Sequence, residues 1–378
     1  MKYIVCFLLI FVFVTCNQKK TVNKAAVSDA KTDLKEDSVS FIFVGDIMGH
    51  MPFINSGFVD SLNIYDFRPV FSKVAPFFKS VDFTIGNLEL TFGGKPYSGY
   101  PKFSSPDELA FSCKKSGINV LMTANNHSCD RGRKGILRTL NVLDSAKISH
   151  TGSFRDSLDR KQNNLLILEK HNIRVGVLNY TYGTNGLPTP KGTMVNIIDT
   201  NLIKEDILRS KEENIDKLIV FLHWGRQYKS HPSKTQKTTA DFLHKNGVDI
   251  VMGSHPHVIQ KMEYKKGLNC KREKLIAYSL GNFISNQRES SMGGGLMVKI
   301  TICKRENLVS ILTPSYYLIW VNKFRNKGAN NYEILPCFMY EKNSIKMSKK
   351  EHSKMSRFIK NSRVLLNKEN INFVEQLK

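Results

Sequence analysis

The sequence predicts an α/β protein, on three observations. Apolar runs that read as buried strands alternate with helix-like segments from residue 41 to residue 145, the rhythm of a mainly parallel sheet with covering helices. Past residue 164 the strand-like runs come in pairs, so a mixed sheet, or a second sheet packed on the first, is expected. Five short polar motifs each follow an apolar run. Ligands of an open α/β sheet sit outside the carboxyl ends of its strands, so motifs this far apart in sequence are expected to meet in one crevice.

The first run, 41–44, leads into Gly45-Asp46-Ile47-Met48. A helix is expected over 70–79, then a strand over 81–85 that ends in Gly86-Asn87-Leu88-Glu89. Ser105-Pro106-Asp107-Glu108 opens the next helix, and the 118–122 strand leads to Asn125-Asn126-His127. A helix over 135–145 follows. Runs 164–168 and 175–179 read as an antiparallel pair, and 180–191, with two glycines and two prolines, as a loop over the site. Strands 218–222 and 248–252 precede His223-Trp224-Gly225 and Gly253-Ser254-His255-Pro256-His257. Runs 275–279, 296–302 and 308–313 read as further antiparallel strands. Beyond Trp320 the chain is basic and polar and ends in an amphipathic helix over 348–366, read as a surface helix packed on the domain ahead of a membrane contact.

The chain begins with targeting features. Lys2 and the apolar stretch 3–14 are too short for a membrane span and right for a signal-peptide core. Thr15-Cys16 ends that stretch in the manner of a bacterial lipobox, in which Cys16 becomes a lipidated first residue; an ordinary cleavage nearby or an uncleaved anchor are the alternatives. Residues 17–38 are polar and short of aromatics, so they read as a tether. The expected organisation is a signal segment 1–15, a lipid site and tether 16–38, a domain 39–320 and a basic extension 321–378. An extracytoplasmic lipoprotein attached to a membrane follows.

Formal charge is +23, and losing residues 1–15 removes only Lys2, leaving +22. Such a field attracts anionic partners, although a generally lysine-rich proteome would give the same charge. Anionic polymer, lipid phosphate or phosphorylated substrate fit; nucleic acid does not, for want of a binding motif in an exported chain. Of seven cysteines, Cys6 falls in the signal segment and Cys16 at the lipid site. The remaining five are widely spaced with no Cys-x-x-Cys, and read as small buried hydrophobes.

The motifs carry ligand chemistry. His255 and His257, two apart in what reads as an extended segment, would project to one side and share a cation. His223 follows a strand, with Trp224-Gly225 allowing close backbone approach. Asn126 offers a neutral oxygen, and His127 can give or take a proton. Asp130 would either orient His127 or cap a helix. Asp46 is the first carboxylate ligand candidate and Glu89 the second; Asn87 would bind metal or substrate, or satisfy a turn. Asn282, in Ser279-Leu280-Gly281-Asn282-Phe283, would complete the pocket or a turn. His50, Arg131, Trp224 and Gln227 are candidates for substrate contact. Carboxylate, carboxamide and imidazole together suit a divalent cation such as zinc, manganese or iron.

Together these residues resemble the CapA family of capsule or poly-γ-glutamate synthesis proteins, within the calcineurin-like metallophosphatase superfamily. The likeness spans roughly residues 40–309 and rests on the five motifs, Asp130 and Tyr278 through Phe283. It implies a four-layer α/β/β/α sandwich with metal held at its strand ends, an extracytoplasmic membrane-attached protein, and other capsule-synthesis membrane proteins as partners. Three departures stand out. Met48 stands where the superfamily has a histidine, Asn87 where it has a bridging aspartate, and Gln227 where the CapA pattern commonly has glutamate. One site is then nearly complete in Asn126, His223 and His255, with Glu89 replacing the bridging acid. The other keeps only Asp46 and His257, with Glu89 open as a third ligand. One firm metal and at most a weak second are expected.

Two functions compete. The first is metal-assisted hydrolysis or transfer at a phosphoryl or amide centre, in synthesis or export of an anionic envelope polymer, with His127 protonating the leaving group. The second is a binding or assembly protein that keeps a degenerate metal site without chemistry. A nutrient-binding lipoprotein is weaker, because it leaves the strand-end histidines without a purpose.

Overall fold

The computed structural model describes residues 37–267, 273–326, 328–341 and 347–377. The expected signal segment, Cys16 and the tether up to residue 36 lie outside the described residues. Two sheets dominate. The first, of ten strands, runs in the order Ala329–Pro336, Ser315–Asn326, Gly294–Arg305, Asp37–Met48, Phe83–Glu89, Val120–Met122 and Ser149–Thr151, with Asn282–Ile284 also paired to the Asp37–Met48 strand. The second, of six strands, runs Met262–Lys265, Lys274–Ala277, Ile250–Ser254, Lys217–His223, Ile173–Thr181 and Leu166–Lys170.

Side chains of a strand point alternately to its two faces, and the two faces of each sheet meet different layers. Phe41 and Phe43 point inward with Ile85 and Val120 to meet Val177, Ile219, Phe221 and Ile250 of the second sheet. Ile42 and Val44 point the other way, against Phe71, Phe78, Leu109 and Leu143 of the helices covering the first sheet. Val220, Leu222 and Val251 meet Ile203 and Ile207 of the Thr200–Ser210 helix and Ala240 and Leu243 of the Lys234–Asn246 helix. Burial on both faces explains why these strands read as unbroken apolar runs. The result is a four-layer α/β/β/α sandwich.

Several elements depart from the sequence reading. The expected helix 70–79 is two short ones, Arg68–Phe71 and Ala75–Lys79, each with a proline in its first turn; proline starts a helix readily but cannot sit within one. The expected strand 275–279 is not purely antiparallel. Lys274–Ala277 runs parallel to Ile250–Ser254 and antiparallel to Met262–Lys265.

The expected boundary after residue 320 falls inside the Ser315–Asn326 strand, which pairs with Gly294–Arg305 on one side and Ala329–Pro336 on the other. The Lys349–Glu369 helix then buries Met355, Phe358, Ile359 and Leu366 in the core between the sheets, with Phe358 5.6 Å from Trp320. Residues past 320 therefore finish the first sheet. Cys113, Cys129, Cys303 and Cys337 are buried. Among the described residues no helix is long and apolar enough to cross a membrane.

Candidate metal centre

The carboxyl ends of the central strands of both sheets point at the same place. Asp46 stands beside Asn87 and Asn282 in register, just past a shift in the ladder at Gly45. That irregularity brings the backbone against Gly281 so closely that a Cβ on Gly45 would lie 1.8 Å from Gly281 O. Only glycine fits there. The bulge re-aims the next side chain, which is how Asp46 comes to face the second sheet.

Asp46 is held from three directions. Asn87 Nδ2 donates to its Oδ1 at 2.8 Å, the His255 backbone N–H to its Oδ2 at 3.3 Å, and His257 Nδ1 lies 3.1 Å from that same Oδ2. Glu89 has no comparable neutral amide anchor among the described residues. It is fully buried, and among the described residues its carboxylate oxygens accept no N–H or O–H within hydrogen-bond distance. His223 Nε2 stands 3.6 Å from Glu89 Oε1, and His257 Nε2 3.8 Å. Glu89, His223 and His255 form one ligand set and Asp46, Glu89 and His257 another, with the ligand atoms of each set within 4.8 Å of one another. Glu89 is common to both. Asn126 adds its Oδ1 2.8 Å from His223 Nε2, and His255 Nδ1 lies 3.1 Å from the same nitrogen.

The electrostatics match that geometry. Burial, reinforced by the Asp46 carboxylate, pushes the Glu89 carboxyl well above its usual range. Burial and then the neighbouring His255, His257 and His127 hold His223 well below an ordinary imidazole. His255 is lowered to about 3 by burial and by His257. Neutral imidazoles around an unsatisfied buried carboxylate are what a divalent cation needs, and without one Glu89 bears a full desolvation penalty. The residues present fit such an ion.

The two histidines of the His-x-His do not lie in an extended segment. The strand ends at Ser254, and His255 and His257 take left-handed backbone angles, φ 94° and φ 58°. Such angles cost non-glycine residues energy and gather at functional sites. The consequence is that the rings separate, 5.8 Å between centroids, and face different ligand sets instead of sharing one cation. Ser254 Oγ, 3.0 Å from His223 Nδ1, fixes the ring of His223 from behind.

Asp130 orients His127. Its Oδ2 lies 2.7 Å from His127 Nδ1 and accepts the Phe103 N–H at 2.7 Å. The nearby helix starts at Gly132 with Arg131 as its cap, so Asp130 is not a cap residue. Asn125 completes the support by accepting the His127 N–H at 3.0 Å and donating to Leu88 O at 2.7 Å.

The other expected contacts sort by position. Gln227 lines a cavity of about 430 Å3 together with Asn126, His127 and Asp130, so it can reach a substrate there. His50 sits close by, its ring against Phe103 and its Nδ1 accepting the Asn286 N–H; burial with His257 and His127 nearby lowers it to about 4. Trp224 is a correction. It is buried in the outer core, donates Nε1–H to Tyr278 O at 3.0 Å and lies nearly parallel to the Tyr278 ring, so its role is packing. Asn282 places Oδ1 3.1 Å from His257 Nδ1 while donating to Gln287 and Met292, and thus positions a ligand. Arg131 reaches Ser98 Oγ at 3.4 Å with its stem packed under Gly93 and Gly135, and supports the 93–98 loop. Asn87 serves Asp46, while its own Oδ1 is buried without a partner.

Sequence reasoning passed over Tyr182, whose ring lies 4.6 Å from His255, and Tyr100, 6.4 Å from His127. Tyr182 does belong to the loop expected over the site, and Asn185 of that loop accepts from Asn126 Nδ2 at 3.1 Å. A tyrosine between a glycine and a threonine carries no metal-ligand signal, so only position could reveal it.

Fold and site together define an α/β/β/α protein with two adjoining imidazole–carboxylate sets that could each hold a cation. The chain belongs to the bacterial capsule synthesis protein family PGA_cap, whose pattern matches residues 40–287. It is 29% identical over 290 residues to the capsule biosynthesis protein CapA of Bacillus anthracis, covering 74% of this chain and 67% of that one. To the PGA biosynthesis protein CapA of Bacillus subtilis (strain 168) it is 26% identical over 294 residues, covering 75% and 71%. Among solved structures it is similar to the calcineurin-like phosphoesterase YfkN of Bacillus subtilis, with TM-score 0.44, 11% identity and coverage of 87% and 98%. A second likeness is to the NAD nucleotidase of Haemophilus influenzae, with TM-score 0.49, 11% identity, 88% of this chain and 61% of that one, less than two thirds of its length.

Proposed function

We propose that this chain is a metal-dependent hydrolase or transferase acting in the synthesis or export of an anionic cell-envelope polymer, poly-γ-glutamate or capsule. The single observation that supports it most is the buried Glu89 carboxylate, shared by two candidate ligand sets and 3.6 Å from His223 Nε2 and 3.8 Å from His257 Nε2. A divalent cation there, whether manganese, zinc or iron, would lower the pKa of a bound water toward neutrality and polarise the oxygen under attack. Glu89, His223, His255 and Asn126 would hold one ion, and Asp46 and His257 with Glu89 a second.

The protein's own groups account for proton handling. With Nδ1 engaged by Asp130, His127 keeps Nε2 as the nitrogen that donates to a leaving oxygen or nitrogen. Asn87 and Asn282 keep Asp46 and His257 in place. Attachment to a membrane through lipidated Cys16, on its extracytoplasmic side beside other capsule-synthesis proteins, belongs to the same proposal. It rests on the chain's first sixteen residues.

The test is metal analysis of the purified chain alongside turnover of a generic phosphodiester and of a γ-glutamyl peptide. Stoichiometric metal with hydrolysis of either supports the reading. Full metal occupancy with neither substrate cleaved would leave an assembly protein that binds polymer without chemistry.

A further inference from the structure

Three tyrosines stand exposed around the ligand sets, each against a different histidine. Tyr100 is 74% exposed with its ring 6.4 Å from His127; Tyr182 is 44% exposed and 4.6 Å from His255; Tyr228 is 53% exposed and 6.0 Å from His257. Large side chains left in solvent are ordinary singly, but three of one type around one site are not a scatter. Tyr228 is also held at φ 65°, in the left-handed region, with its N–H on Pro256 O at 2.8 Å. A bulky residue in that region is strained, and strain kept at a site points to use. Tyr182 is similarly tied, its N–H on His223 O at 2.9 Å, so the rings are anchored through the same segments that carry the histidines. Tyr100 and Lys102 line the cavity that holds His127 and Asn126.

Tyrosine gives a large contact face at a small loss of side-chain freedom, with a hydroxyl that can bond to a polar group. A lysine beside such rings adds attraction for a negative charge without fixing its geometry. A monomer engaged at the ligand sets has no need of three exposed rings. A chain that continues past the reacting bond does. From this placement we infer that Tyr100, Tyr182, Tyr228 and Lys102 form a gripping rim that selects an anionic oligomer over a single unit of it. The rings hold the flat backbone links of adjacent repeats, and Lys102 takes a carboxylate or phosphate of the repeat outside the cavity. This inference rests on the proposed polymer substrate and names residues that confer length selectivity there.

Binding separates it from catalysis. Calorimetric titration of the metal-loaded full chain with a γ-linked glutamate decamer and with γ-glutamylglutamate should show the decamer binding about tenfold tighter. The double change Tyr100→Ala with Tyr228→Ala should remove about that tenfold for the decamer and leave the dipeptide unaffected, at unchanged metal content and melting temperature. Lys102→Ala should flatten the salt dependence of decamer binding. Equal affinity for the two ligands in the unaltered chain, or a decamer affinity that survives the double change, overturns the rim. So does a chain that binds neither. Length-selective binding without hydrolysis keeps the rim and overturns the enzymatic reading instead.

Discussion

Asp130 Oδ2 lies 2.7 Å from His127 Nδ1 and accepts the backbone N–H of Phe103 at the same distance. A carboxylate anchored to the main chain leaves the imidazole one tautomer and one orientation. Asp130→Asn keeps the shape and removes the charge. Turnover should fall by about 10²-fold with metal content unchanged, because His127 belongs to neither ligand set. Steady-state kinetics with metal analysis of the same sample checks both halves.

Glu89→Gln should act in opposite directions on the two forms of the protein. The metal-loaded form loses the carboxylate common to both sets, so affinity should drop for every ion bound. The metal-free form loses a fully buried acid crowded by the Asp46 carboxylate, and should become more stable by about 1–3 kcal/mol. Chemical denaturation with and without a chelator separates the two.

Acid should destabilise the metal-free fold through its neutral histidines. His255 sits at about 3 and His50 at about 4, both below the 6.5 of an unfolded chain. Their contribution is complete above pH 6.5 and is lost as pH falls, because the unfolded chain takes up protons that the folded one refuses. By pH 5 each should cost about 2 kcal/mol. Glu89 works the other way, since its raised carboxyl penalises the fold more as pH rises above 4.5. The metal-free Glu89→Gln variant therefore isolates the histidines, and urea midpoints between pH 7 and pH 5 should fall steadily. A flat profile would contradict the burial of these rings.

Arg288→Ala should loosen the site from outside. Arg288 pairs with Glu351, donates to Val321 O at 3.1 Å and lies 5.9 Å over the Trp320 ring, while Lys354 donates to its carbonyl. That network ties the segment bearing Gln287 and Met292, which hold Asn282 and through it His257. A loss of about 1–3 kcal/mol is expected, with weaker binding at the Asp46–Glu89–His257 set than at the His223–His255 set. Competitive metal titration measures the difference.

Cys16→Ser should move the chain from the membrane fraction to the soluble extracytoplasmic fraction, and abolish labelling by a fatty-acid analogue. Retention at the membrane with no label would instead mark an uncleaved apolar anchor.

The layers were readable because strands buried on both faces leave unbroken apolar runs, as in 41–44 and 218–222. The convergence of the motifs was readable because residues directly after such runs sit at the carboxyl ends of the strands. What escaped was orientation. Trp224 and His223 are neighbours in sequence, yet one faces the outer core and the other Glu89, because successive side chains alternate. The His-x-His spacing suggested a shared ion, and only the left-handed angles at His255 and His257 send the rings to separate sets. Strands past Trp320 were hidden by their charge, since basic residues such as Lys323 and Arg325 sit on the part of the Ser315–Asn326 strand that lies beyond its buried stretch.

The family pattern stops at residue 287, yet the Asp37–Met48 strand, which delivers Asp46, has Gly294–Arg305 as its antiparallel neighbour along most of its length. Recognisable ancestry and the smallest piece able to fold are thus different lengths of chain. A fragment trimmed to the matching region would leave the central strand with an open edge, and the placement of Asp46 would fail with it.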